Sequence, residues 1–110
     1  LKVRILDYKQ RAVDELEDIL EFMLNHLSSV EYDEDDEEFE EKVMETEDFL
    51  MEIHTVVRKL ERDVNNWRRP LHENSFWKRL REIWDMFPQA EKMLFEVDNK
   101  WPEYKEWLIA

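Results

Sequence analysis

The sequence predicts an all-α fold: a single-domain five-helix bundle in which a long antiparallel helix hairpin (about 4–29 and 35–69) is packed by three short helices (about 75–87, 88–101 and 102–109). Three observations lead there. Apolar residues recur at three- and four-residue spacing through most of the chain. Charged residues make up 41% of the sequence, which suits the exposed faces of helices rather than sheets. Its 110 residues contain no Gly and only three Pro, so helix breakers are confined to a few sites. A chain of this length fits one core, and its five Trp and six Phe argue against disorder.

The first helix is predicted over 4–29, because Leu6, Val13, Leu20 and Leu27 repeat every seven residues with Leu16, Met23 and Val30 interleaved. Ile5, Ala12 and Ile19 widen that seam, which marks a helix buried between two neighbours. Ser28, Ser29 and the acid-rich stretch that follows make the connection, with Asp33 or Asp35 as the expected cap of the second helix. The second seam is Phe39, Val43, Leu50, Ile53, Val57, Leu60, Val64 and Trp67, interrupted only by Thr46, and it should stop by Arg69 because Pro70 disfavours helix in the residue before it.

Ser75 is the expected cap of the third helix, whose buried face is Phe76, Leu80, Ile83, Trp84 and Phe87. Pro88 sits where a first-turn proline belongs, Ala90, Leu94, Val97 and Trp101 form a fourth stripe, and Pro102 begins a last short helix carrying Tyr104, Trp107 and Leu108. Leu80, Glu82, Ile83, Phe87, Pro88 and Leu94 align at a 14-residue offset with Leu94, Glu96, Val97, Trp101, Pro102 and Leu108. Two helix-proline-helix corners solving one packing problem explain this better than a repeat array, whose units are longer and more numerous. The five Trp are expected in the core.

Charge is lopsided. Residues 1–55 hold 5 basic and 19 acidic side chains, whereas 56–110 hold 11 and 10. Carboxylates crowd the start of the second helix and Arg58, Lys59, Arg62, Arg68 and Arg69 its end, the arrangement the helix dipole favours. The candidate binding face is the acidic run Glu31, Asp33, Glu34, Asp35, Asp36, Glu37, Glu38, Glu40 and Glu41, which suits a basic protein partner and could mimic nucleic acid to inhibit a nucleic-acid-binding protein. Binding of nucleic acid itself is not expected from a chain with a net charge of −13.

Chemistry finds no foothold in the pattern. Without Cys there is no disulfide or thiolate site, and without Gly no phosphate loop or EF-hand turn. An antiparallel hairpin separates His26 from His54, leaves His72 beyond its far end, and none of the three is preceded at helical spacing by a di-iron Glu. Ser28, Ser29 and Ser75 fall at loop or cap positions rather than in a nucleophile elbow. No apolar run approaches the roughly 20 residues needed to span a bilayer, and no signal-peptide pattern opens the sequence. The expectation is a soluble monomer with no catalytic, cofactor or metal site and no membrane or nucleic-acid partner.

Leu80 to Leu94, LREIWDMFPQAEKML, resembles the corner between the second and third helices of globins. Haem is not implied, because no histidine follows His72 to serve as its ligand. The whole chain resembles a computationally designed, de novo helical protein: no Gly, no Cys, no initiating Met, prolines at helix starts and charges matched to the helix dipoles. Only three Ala, five Met and scattered Trp look more natural, which assembly of a design from natural helical fragments would reconcile. Two functions follow: a designed scaffold without biochemical activity, or a natural acidic module that binds a basic protein.

Overall fold

A computed structural model describes the backbone of residues 2–109 and the side chains of residues 8–106. Every regular element among them is helical: α1 (Lys2–Ser28), α2 (Glu37–Val64), α3 (Glu73–Trp84), α4 (Phe87–Val97) and a short fifth piece, α5 (Trp101–Ile109). The expected seam residues Ile5 and Leu6 of α1, and Trp107 and Leu108 of α5, lie outside the described side chains.

α1 and α2 run antiparallel, since Glu17 lies against Glu61 near one end and Leu27 shares a cleft with Val43 near the other. Their seams close on each other: Val13, Leu16, Leu20 and Met23 face Leu50, Ile53, Val57 and Leu60, all essentially without solvent contact. Thr46, the fully buried polar side chain among the described residues, returns its hydroxyl to Lys42 O at 2.8 Å, so its burial strands no donor.

α3 and α4 continue along the groove between the two long helices. At one end Tyr8 meets Trp77 with ring centroids 5.5 Å apart, and at the other the start of α5 reaches Phe22 and His26 of α1. Lys105 of α5 folds back onto Glu91 of α4 at 2.7 Å, so the chain reverses after α4. Phe76, Leu80, Ile83, Phe87, Ala90, Leu94, Val97 and Trp101 complete a cluster continuous with the α1/α2 seam.

The helices end without glycine by using side chains and tight turns. Ser28 and Ser29 hydroxyls donate to Asn25 O and His26 O at 2.8 and 2.7 Å, and satisfy carbonyls that the last turn of α1 leaves open. No described residue adopts a positive φ. Both corners of the 14-residue pattern bury equivalent residues, Leu80, Ile83 and Phe87 at the first and Leu94, Val97 and Trp101 at the second, although the backbone is helical at Asp85 and extended at Asp98.

Several boundaries differ from the sequence reading. α2 is capped by Asp36, whose carboxylate accepts from Phe39 N at 3.1 Å; Asp33 instead accepts from Asp35 N in the turn before it. α2 also stops at Val64, not Arg69. Asn66 Oδ1 accepts from the backbone N–H groups of both Arg68 and Arg69, a local alternative to helical bonding that ends the helix before Pro70 is reached. α3 begins earlier than Ser75, with His72 Nδ1 accepting from Asn74 N at 3.2 Å. It also ends earlier, at Trp84: Phe87 belongs to α4, and Trp101, expected at the end of the fourth helix, opens α5.

Candidate interaction surfaces

The nine acidic candidates form one pole of a molecule whose principal extents are 55 × 27 × 18 Å. Glu31, Asp33, Glu34, Asp35, Asp36, Glu37, Glu38 and Glu41 are exposed, and Glu40 is half-buried. The turn holds them in place through the Asp33 and Asp36 bonds and through the rings of Tyr32 and Phe39, 5.7 Å apart. The ion pairs between described side chains, Arg79–Asp63 and Lys105–Glu91, lie elsewhere, so no ion pair among the described residues neutralises this charge. Glu37, Glu38 and Glu40 occupy the first turn of α2, where the helix dipole stabilises them. The carboxylates are therefore tolerated locally while presenting a concentrated negative field outward.

The opposite pole is basic and carries aromatic surface. The α2–α3 connection lies beside the start of α1, where Lys9 Nζ donates to Leu71 O at 3.4 Å. Arg62, Arg68, Arg69 and Lys78 are exposed there. Trp67, placed in the seam by the sequence reading, is 82% exposed, and Arg68 lies over its ring with the guanidinium carbon 5.2 Å from the centroid. Because α2 ends at Val64, Trp67 never reaches its heptad position. Trp77 and Trp84 are 40% and 39% exposed, since Phe76 and Ile83 beside them take the core positions; of the four Trp with described side chains, Trp101 alone is buried.

Glu17 and Glu61 form an acidic pair across the α1/α2 interface that the sequence reading missed. The Glu17 carboxyl is pushed up from 4.5 to about 7, first by a hydrogen bond shared with Glu61, then by burial and by the negative charges of Glu61 and Asp14, against the lowering effect of Arg58. One proton shared between two carboxyls explains how they sit together in the interface. The signal was available in part: Glu17 follows Leu16 and Glu61 follows Leu60, positions that flank facing seams in an antiparallel pair.

Two clefts lie on the flank formed by α4 and α5. One of about 490 Å³ runs between the α1–α2 connection and the α4–α5 corner, with Glu31, Phe39, Glu96, Asp98, Lys100 and Tyr104 on its walls. The other, about 480 Å³, has Ile19, Trp84, Phe87 and Trp101 as apolar walls, with the Lys105–Glu91 pair at its edge. Trp101 Nε1 is buried and finds no acceptor among the described residues. The histidines are dispersed: His26 stacks on Tyr104 at 4.1 Å and meets Phe22 and Trp101 edge-on, His54 lies beside the Glu17 and Arg58 side chains, and His72 caps α3. Among the described residues no three His, Asp or Glu side chains converge on a point where a metal ion could sit.

No protein-family model, curated protein or solved structure matches the chain.

Proposed function

We propose that the chain is a non-enzymatic helical interaction module, a five-helix single-domain bundle whose acidic pole receives a basic protein partner. One observation carries this reading: the carboxylates from Glu31 to Glu38 are exposed, close together and free of Lys or Arg partners among the described residues. A field of this kind favours encounter with a surface rich in Lys and Arg, including the phosphate-binding face of a nucleic-acid-binding protein, which it would block by mimicry. No cofactor, nucleic acid or membrane is involved.

Titration with an Arg-rich peptide tests the reading. Saturable binding is expected at about 0.1 M salt, weakening by about tenfold or more toward 1 M as the Debye length falls from about 10 to about 3 Å. It should be lost when Asp33, Glu34, Asp35, Glu37 and Glu38 are changed to Asn or Gln, with Asp36 left to cap α2. If neutralisation only raises stability by relieving repulsion and binding is unchanged, the reading is wrong.

A second reading, a designed scaffold assembled from helical fragments and without biochemical activity, is favoured by the glycine-free helix ends and the absence of positive φ among the described residues. The exposure of Trp67, Met44, Met51 and Phe95 favours the module instead, since an idealised surface holds few large apolar side chains. Under the scaffold reading the same titration gives no saturable binding.

A further inference from the structure

We propose that the basic pole around Trp67, Arg68 and Arg69 docks the acidic pole of a second copy of the chain, joining molecules head to tail. This rests on the reading of the acidic pole as a binding surface and names a partner for it. A tryptophan left 82% exposed, with an arginine over its ring and no packing role in its own molecule, has the character of an interface anchor. Arg62, Arg68, Arg69 and Lys78 surround it on the α2–α3 connection and the neighbouring helix ends, all exposed and free of carboxylate partners among the described residues.

Charge complementarity selects the occupant. The same chain presents exposed carboxylates from Glu31 to Glu38 at its other end, together with the exposed ring of Tyr32 as an apolar counterpart to Trp67. The 28 residues of α2 separate the two poles by ~42 Å, several times the ~8 Å Debye length at physiological salt, so neither field cancels the other within one molecule. A compact acidic turn can meet the basic pole alone. A nucleic acid strand, by contrast, would extend past the pole along a chain of net charge −13. Because the two contacting surfaces differ, the contact is heterologous and leaves a free pole at each end, so assemblies lengthen with concentration rather than closing as a two-fold dimer.

Sedimentation velocity on the full chain, with two pole variants, tests this. Wild type should show an average mass that rises with concentration at about 0.1 M salt and returns to monomer at about 1 M. Variant one, Arg68→Glu with Arg69→Glu and Trp67→Ala, keeps the acidic pole. Variant two, with Asp33, Glu34, Asp35, Glu37 and Glu38 changed to Asn or Gln, keeps the basic pole. Each alone should be monomeric, and an equimolar mixture should give a 1:1 dimer and nothing longer, since only one complementary pair of poles survives. Circular dichroism on each variant confirms that these exposed changes leave the helices intact. The proposal is overturned by any of three results: wild type monomeric at all concentrations in low salt, variants that fail to pair on mixing, or self-association that survives the basic-pole changes. A monomeric wild type that still binds an Arg-rich peptide through its acidic pole would sink self-association while leaving that pole's role standing. A monomeric wild type whose Trp67 pole binds a single-stranded oligonucleotide would overturn it in favour of a polyanion site.

Discussion

The α1/α2 pair and the α3–α5 arm bury their apolar residues by different means. In the pair, two uninterrupted helices of 27 and 28 residues repeat one seam, and each turn adds a residue to the same contact. The arm has helices of only 12, 11 and 9 residues and does its burial at corners, where Ile83, Phe87, Val97 and Trp101 gather as the chain bends around Asp85–Met86 and Asp98–Lys100. Helices as short as those in the arm are not stable alone, so the arm must draw its order from the groove it fills. The dependence runs the other way too, because the α1 and α2 seams are wide enough to need a third wall.

That mutual dependence can be broken most forcefully at Phe76. Its ring has no solvent exposure, and it lies against Trp77 with Lys9 of α1 above it. Phe76→Ala should destabilise the protein by about 3–5 kcal/mol, comparable to the roughly 2–5 kcal/mol expected for Leu20→Ala in the pair. For both variants, urea unfolding followed by far-ultraviolet circular dichroism and by Trp fluorescence should give one coincident transition. Two separated transitions in the Phe76 variant would show that the pair stands without the arm, and the comparison would then be between a core and an appendage.

The helix starts sharpen the same contrast on a smaller scale. α2 begins on a carboxylate that accepts from Phe39 N, three residues on, with three acidic residues in its first turn; α3 begins on the His72 ring accepting from Asn74 N, only two residues on. Asp36→Ala should cost about 1 kcal/mol, within the usual range for losing an Asp cap. His72→Ala should cost less, because a neutral ring nitrogen is a weaker acceptor than a carboxylate and the bond is long. Equal losses in thermal unfolding would mean that the start of α3 is held by its cap and not by Phe76 and the groove.

The buried faces of both the pair and the arm were legible in the sequence and the helix ends were not, for a physical reason. A heptad seam is written by many residues, so Val13, Leu16, Leu20, Met23 and Leu27 could be read as buried even with the boundaries uncertain. Where a helix stops depends on a few local bonds that periodicity does not encode. Asn66 capturing two backbone N–H groups ended α2 early, and that event turned Trp67 from a core residue into the most exposed large apolar side chain described. In α3 the periodicity correctly picked Ile83, and Phe76 over Trp77, as buried, but it also took in Trp84, which is 39% exposed, because hydrophobicity alone does not mark the edge of a buried face. The acidic pole was legible because composition alone announces it. The basic pole was half legible, its arginines visible and its tryptophan misplaced.

Glu17 supplies the finest test, because there the seam of the pair carries a titratable conflict. Its carboxyl holds a proton up to about pH 7 in the folded protein but releases it near 4.5 once unfolded. Between those values the folded state binds more protons, so this site's stabilisation is fully present below 4.5, declines as pH rises, and is gone above about 7. Glu17→Gln replaces the proton-dependent donor with a permanent one facing Glu61. The variant should therefore gain on wild type between about pH 4.5 and 7 and level off above, reaching less than about 1 kcal/mol, since the pair opens to water and screening discounts the full linkage value. Plotting the difference between the two proteins isolates what the Glu17–Glu61 contact contributes. A constant difference across that range would mean that Glu17 and Glu61 do not share a proton, and that the long seam accommodates both charges by turning them outward.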